Sequence, residues 1–167
     1  MSKVEELKAK VLEAQKNADI ATMYVLQEEA LETFDEDTLS GFFANILDLA
    51  LENLTNTLES CTTLEMNEVQ DFATLRALYE YAIEHYHAGA IKDASALFEV
   101  LSGITKDEDF KIALTYHKQA ALKNIPLEQF MDEYADIEKT QQNQTFYISS
   151  FTKKAQKLLD NTKIVAE

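Results

Sequence analysis

Very little in this sequence would stop a helix. Its 167 residues hold three glycines and one proline, too few for the many tight turns that a sandwich or barrel demands. Cysteine occurs once, at Cys61, so no intramolecular disulfide can form and a reducing compartment is the natural setting. The N-terminal run MSKVEELKAKVLEAQ is charged throughout. It has neither the apolar core nor the small-residue cleavage site of a secretion signal, and the expectation is a cytoplasmic protein. Arginine also occurs once, at Arg76, against a net charge of -15. Phosphate neutralisation needs clustered Lys and Arg, so nucleic acid is excluded as a partner, and anionic membrane surfaces with it. No apolar run approaches the ~20 residues of a membrane span. A glycine-rich phosphate loop, a paired-cysteine motif and a dinucleotide fingerprint are all missing.

What is present is helical periodicity. Ala, Leu, Glu, Lys and Gln dominate the periodic segments, and these are strong helix formers. The class expected is all-α: about eight antiparallel helices in a single irregular helical-repeat domain, with N-terminal helices over 1–59 and repeat-like hairpins over 67–160. Val4, Leu7, Val11 and Leu12 form one stripe of a helix over about 3–16. Asn17 and Asp19 supply turn and cap chemistry for a second helix ending near Phe34. The acids at 35–37 suit a helix N-terminus capped by Asp37 or Thr38. The third helix that follows carries Leu39, Phe42, Phe43, Ile46, Leu47, Leu49, Ala50, Leu51, Leu54 and Leu58. That face is broader than one partner requires, so the helix is either the centre of a bundle or a surface that lends part of itself to another protein.

The run SCTTLEMN at 60–67 breaks the period and reads as a loop. A fourth helix over about 68–88 is stopped by Gly89, and a fifth runs from Ile91 to Leu101. Thr105 is a plausible cap for a sixth with Phe110, Ala113, Leu114, His117, Ala120 and Ala121. Proline at 126 marks a stop and restart before a seventh with Leu127, Phe130, Met131, Tyr134 and Ile137. After TQQNQT, the spacing of Tyr147, Phe151, Ala155, Leu158 and Leu159 suggests an eighth. The tail NTKIVAE reads as a fraying end.

Chemistry-bearing patterns are sparse. Glu84 and His87 form the i, i+3 pair that di-iron bundles use, but the second pair and the extra glutamates of such a site are missing. His85 and His87 point to different helix faces. Cys61 has no histidine near it in sequence. No catalytic residue, metal site or cofactor is expected.

The stretch Leu75–Ile104, LRALYEYAIEHYHAGAIKDASALFEVLSGI, is the most informative. Leu78 is bulky, Tyr81 and Ala82 form a large-small pair, Gly89 is at the turn and Ile91 follows it. Ala94 is small and Phe98 aromatic in the second helix. These positions are similar to one tetratricopeptide repeat, a 34-residue helix-turn-helix unit. Leu101 stands where a small residue is usual and Lys106 where a proline often closes the unit. With GAIKDASALFEVL around it, the segment looks like the leading repeat of the small acidic chaperones of type III secretion, or their flagellar export counterparts. One step further along, Lys123, Glu128 and Asp132 occupy the consensus positions, so the repeat does not recur.

The resemblance implies a concave surface lined by Tyr79, Ile83, Tyr86 and His87 and continued by Ala113, His117 and Ala121. Such a groove would accept apolar anchors of a protein client or co-chaperone. Ordinary inter-helix core is the other reading of these residues. The implied function is a non-catalytic chaperone or co-chaperone masking an apolar segment of an exported client. A self-associating bundle, a homodimer through the third helix, is the alternative.

Overall fold

The computed structural model describes residues 2–158 and is all-α, with no strand among the described residues. The helices are α1 (Lys3–Lys16), α2 (Ile20–Thr33), α3 (Glu36–Ser60), α4 (Val69–His87), α5 (Ile91–Ile104) and α6 (Glu108–Leu122). A short α7 (Leu127–Gln129) runs into a wide π turn at Phe130–Tyr134 and is followed by α8 (Ile137–Asn143). Residues 153–158 are again helical. This succession is compatible with a helical-repeat fold. Contacts divide the chain into two compact units, with the division between Leu78 and Tyr79, inside α4. Leu159 and the tail NTKIVAE lie outside the described residues.

In the first unit, side-chain caps start each of the first three helices. The Ser2 hydroxyl accepts from the Glu5 amide at 3.2 Å, Asp19 accepts from Thr22 at 3.0 Å and Asp35 from Thr38 at 2.7 Å. The α3 cap is therefore Asp35, two residues before the Asp37 or three before the Thr38 expected from sequence. Gln70 of α4 clips the start of α2 with both ends of its amide. It donates to Asp19 Oδ1 at 2.6 Å and accepts from the Ala21 amide at 3.2 Å. Hydrogen bonds from the Thr22 hydroxyl first, then from Gln70 and the Thr22 amide, hold the Asp19 carboxyl below the usual range. Asn53 of α3 donates to the fully buried Thr74 of α4 at 3.0 Å. Leu7, Ile20, Met23 and Ile46 are buried.

In the second unit α5 packs along α6, and Lys118 meets Glu99 across that pair at 3.6 Å. The helix over α5 continues past the expected end at Leu101 to Ile104, because Ile104 is buried and burial outweighs the weak propensity of Gly103. Asp107, not Thr105, caps α6, accepting from Phe110 at 2.9 Å. The largest departure from the sequence reading comes after α8. TQQNQT lies mostly inside that helix, and 144–152, expected to be helical at Tyr147 and Phe151, is irregular.

Its hydroxyl and amide side chains account for this. Thr140 Oγ1 accepts from the amides of Ser149 and Ser150, both at 3.2 Å. Thr145 donates to the Tyr147 carbonyl at 2.7 Å, and Thr152 to that of Glu133 at 2.8 Å. Such side chains offer the backbone a competing set of partners. An isolated antiparallel bridge, Ala135 to Phe151, completes the closure.

Four helix ends share one turn. After α1, α3, α4 and α6 the chain enters the left-handed region at Ala18, Cys61, Gly89 and Asn124, with φ of 51°, 54°, 82° and 58°. In each case the next amide bonds five residues back: Asp19 to Ala14, Thr62 to Thr57, Ala90 to His85 and Ile125 to Ala120, at 2.8–3.1 Å. Only one of the four uses glycine. A Cβ at position 89 would meet nothing within 4 Å, so the cost of Gly89→Ala is conformational. It should lower unfolding free energy by about 1 kcal/mol. Gly103→Ala, inside α5 and equally unobstructed, should raise it by about as much. Denaturant midpoints of the two variants should move in opposite directions.

Candidate functional site

The residues that the sequence offers as a groove are brought together, but not as a surface. Tyr79, Tyr86, Ala113, His117 and Ala121 are all buried. Ile83 is half-buried, and His87 is exposed and apart from the cluster. What fills the inner face of α4 and α6 is the chain's own later sequence. Phe146 and Tyr147 stand edge-on to the Tyr79 ring at 5.9 and 6.3 Å. Phe130 and Phe151 flank His117 at 5.1 and 6.1 Å, and Phe98 lies on it at 5.2 Å. Phe151 also stacks on Tyr116 at 4.3 Å. These separations fall in the range where aromatic pairs add to burial. Tyr79, Tyr86, Ala113, His117 and Ala121 are inter-helix core, whereas Ile83 and His87 keep accessible surface.

A chain of hydrogen bonds runs through that cluster. His117 Nδ1 lies 2.6 Å from the Ala113 carbonyl, which can only accept, so Nδ1 carries the proton and Nε2 is the acceptor. The Tyr79 hydroxyl therefore donates to Nε2 at 2.6 Å and accepts from the Ile148 amide at 3.1 Å. Every polar atom of the pair has a partner. Burial pushes the His117 imidazole down to about 4 and the Tyr79 phenol well above its ordinary value. Tyr86 is likewise pushed up by burial and donates to the Ile125 carbonyl. The Tyr147 phenol is raised to about 12, by burial first and then by Asp107 and Asp109. A neutral imidazole sealed by rings and bonded at both nitrogens is a structural group, with no open side for a substrate.

Most of the exposed large apolar side chains among the described residues lie in the first unit; Ile112, Leu122 and Met131 are those of the second. The broad face of α3 splits into two lanes. Phe42, Ile46, Ala50 and Thr57 are buried, with Thr57 Oγ1 satisfied by the Asn53 carbonyl at 2.8 Å. Beside them, Phe43 and Leu58 are exposed at 36% and 53%, and Leu47, Leu51 and Leu54 are half-buried. A concavity of about 320 Å³ lies between α2 and α4, walled by Val25, Val69 and Phe72. Arg76 lines it, its guanidinium 3.9 Å from the centre of the Tyr24 ring. The sequence marks the width of the α3 face. It does not mark Phe146 or Ile148, which reach Tyr79 from far along the chain.

Among the described residues no group of His, Cys, Asp and Glu is placed to hold a metal ion. No helix among them is long and apolar enough to cross a membrane. Comparison with protein-family models, curated proteins and solved structures gives no match.

Proposed function

We propose that the protein is a non-catalytic binding protein, a chaperone or co-chaperone that masks an apolar segment of a client. The observation that supports this is the outer lane of α3, where Phe43, Leu47, Leu51, Leu54 and Leu58 remain exposed or half-buried along one line. A continuous row of large apolar side chains only partly covered, and edged by exposed acids, is a mark of a protein-binding site. The resemblance of α4 and α5 to a tetratricopeptide hairpin of secretion chaperones, together with the acidity, makes an export substrate or its helper the client to look for. The docking face moves from the inner side of α4 to α3.

Site-specific photo-crosslinking in cells tests it. A crosslinking residue in place of Leu54 should yield a discrete protein adduct, and one in place of the exposed Asn56 should not. Once the adduct's partner is purified, Leu51→Ala should weaken its binding by about 2 kcal/mol, roughly thirtyfold. Equal labelling from both positions, or none, removes this face from consideration.

A further inference from the structure

We infer that the occupant of the α3 lane is a basic amphipathic helix of another protein, an assignment that rests on the binding role proposed above. α3 carries Glu36, Asp37, Asp48, Glu52 and Glu59 and no Lys, Arg or His. At 3.6 residues per turn, Phe43, Leu47, Leu51, Leu54 and Leu58 fall within an arc of about 80°. Asp37, Asp48, Glu52 and Glu59, all exposed, fall in the arc just beyond it, on the side away from Phe42 and Ile46. Around the helix the order is therefore buried face, apolar lane, acidic edge.

The lane has the form of a helix-packing seam. Its members step by 4, 4, 3 and 4 residues and span about 22 Å at 1.5 Å per residue. A helix laid along it can set its own apolar residues between them. An extended peptide has less to gain, because the α3 backbone is already paired within the helix and offers no edge for strand addition. Charge then separates the remaining occupants. A second copy would bring an identical acidic edge and a net charge of -15 against the first, and like charges at close range oppose association. Lys or Arg flanking the partner's apolar stripe would meet the acidic edge with attraction instead.

The test uses the full chain and two fluorescent synthetic helices of ~18 residues, long enough to cover the lane. Both have Leu at the same alternating three- and four-residue spacing. One has Lys at its polar positions and the other Glu. Fluorescence anisotropy should show the Lys peptide binding at least about tenfold tighter, with the advantage shrinking at high salt. Leu51→Asn with Leu54→Asn should abolish that binding. Because both are half-buried, Leu58→Ser at the exposed end is the companion variant and should weaken it severalfold. Asp48→Lys with Glu52→Lys should reduce the preference for Lys.

Equal binding of the two peptides, or Lys-peptide binding untouched by the leucine variants, overturns the assignment. A dimer in light scattering that Leu58→Ser dissolves would also overturn it and name a second copy as occupant. A protein adduct at position 54 from a segment without basic residues would leave the binding role standing and remove only this assignment.

Discussion

Tyr79→Phe removes one oxygen atom and should lower the unfolding free energy by about 3 kcal/mol. The ring stays, so its contacts with Phe110, Phe146 and Tyr147 survive. What goes is the link between Ile148 and His117. A fully buried imidazole nitrogen and a half-buried amide N–H then lose their partner together, and leaving a buried group unpaired costs about 1–3 kcal/mol. His117 is fully buried, which makes replacement by water difficult. A shift of the urea midpoint without a change in slope is the expected signature. Amide exchange should localise it, with protection lost first at Ile148. A variant as stable as the parent would mean that the cluster is held by ring packing alone.

The second large effect is acid sensitivity. His117 is neutral when folded and its protonation is pushed down to about 4 by burial, whereas an unfolded histidine titrates near 6.5. Between these values the unfolded chain binds a proton that the folded chain does not. Stability therefore rises with pH across this window, and the contribution is lost as pH falls from about 6.5 towards 4. The difference amounts to about 3 kcal/mol. The rings around it are Tyr79, Phe98, Phe130 and Phe151, none of which can stabilise the imidazolium as a carboxylate would. Denaturant unfolding followed from pH 7 to 4.5 should show a slope in the parent that His117→Leu lacks. His117→Leu also leaves the Tyr79 hydroxyl without its acceptor, so the comparison is of pH slopes and not of absolute stability. Identical slopes would mean that the carboxylates alone set the acid limit.

The six long helices were legible because their signals are local: apolar stripes, acids in first turns, Asp19 before α2. Gly89 was legible for the same reason. Ala18 and Cys61 make the same turn with residues that carry no such mark, since an alanine held at a φ of 51° by its neighbours' hydrogen bonds looks like any other alanine. The C-terminal third was misread for a different reason. Ala155 and Leu158 do lie in a helical stretch, but at Tyr147 and Phe151 helical spacing is overridden: Thr140 accepts from the Ser149 and Ser150 amides and Thr145 donates to the Tyr147 carbonyl, partners that take the backbone out of helical pairing. Periodicity cannot register that competition. Of the groove residues, Tyr79 meets His117 directly and Tyr86 packs on Phe98 and Phe130, which also touch His117, whereas His87 stays exposed. What covers them could not be read from α4 and α6.

The self-filled cluster has a consequence for the order in which the chain becomes a protein. Tyr79, Phe98, Phe110 and His117 are all synthesised before Phe146, Tyr147 and Phe151, the rings that close over them. During translation the second unit therefore passes through a stage in which α4, α5 and α6 exist with an uncovered aromatic face. That stage ends only when the stretch through Phe151 has left the ribosome. A protein proposed to shield apolar segments of others is, for that interval, in need of the same protection.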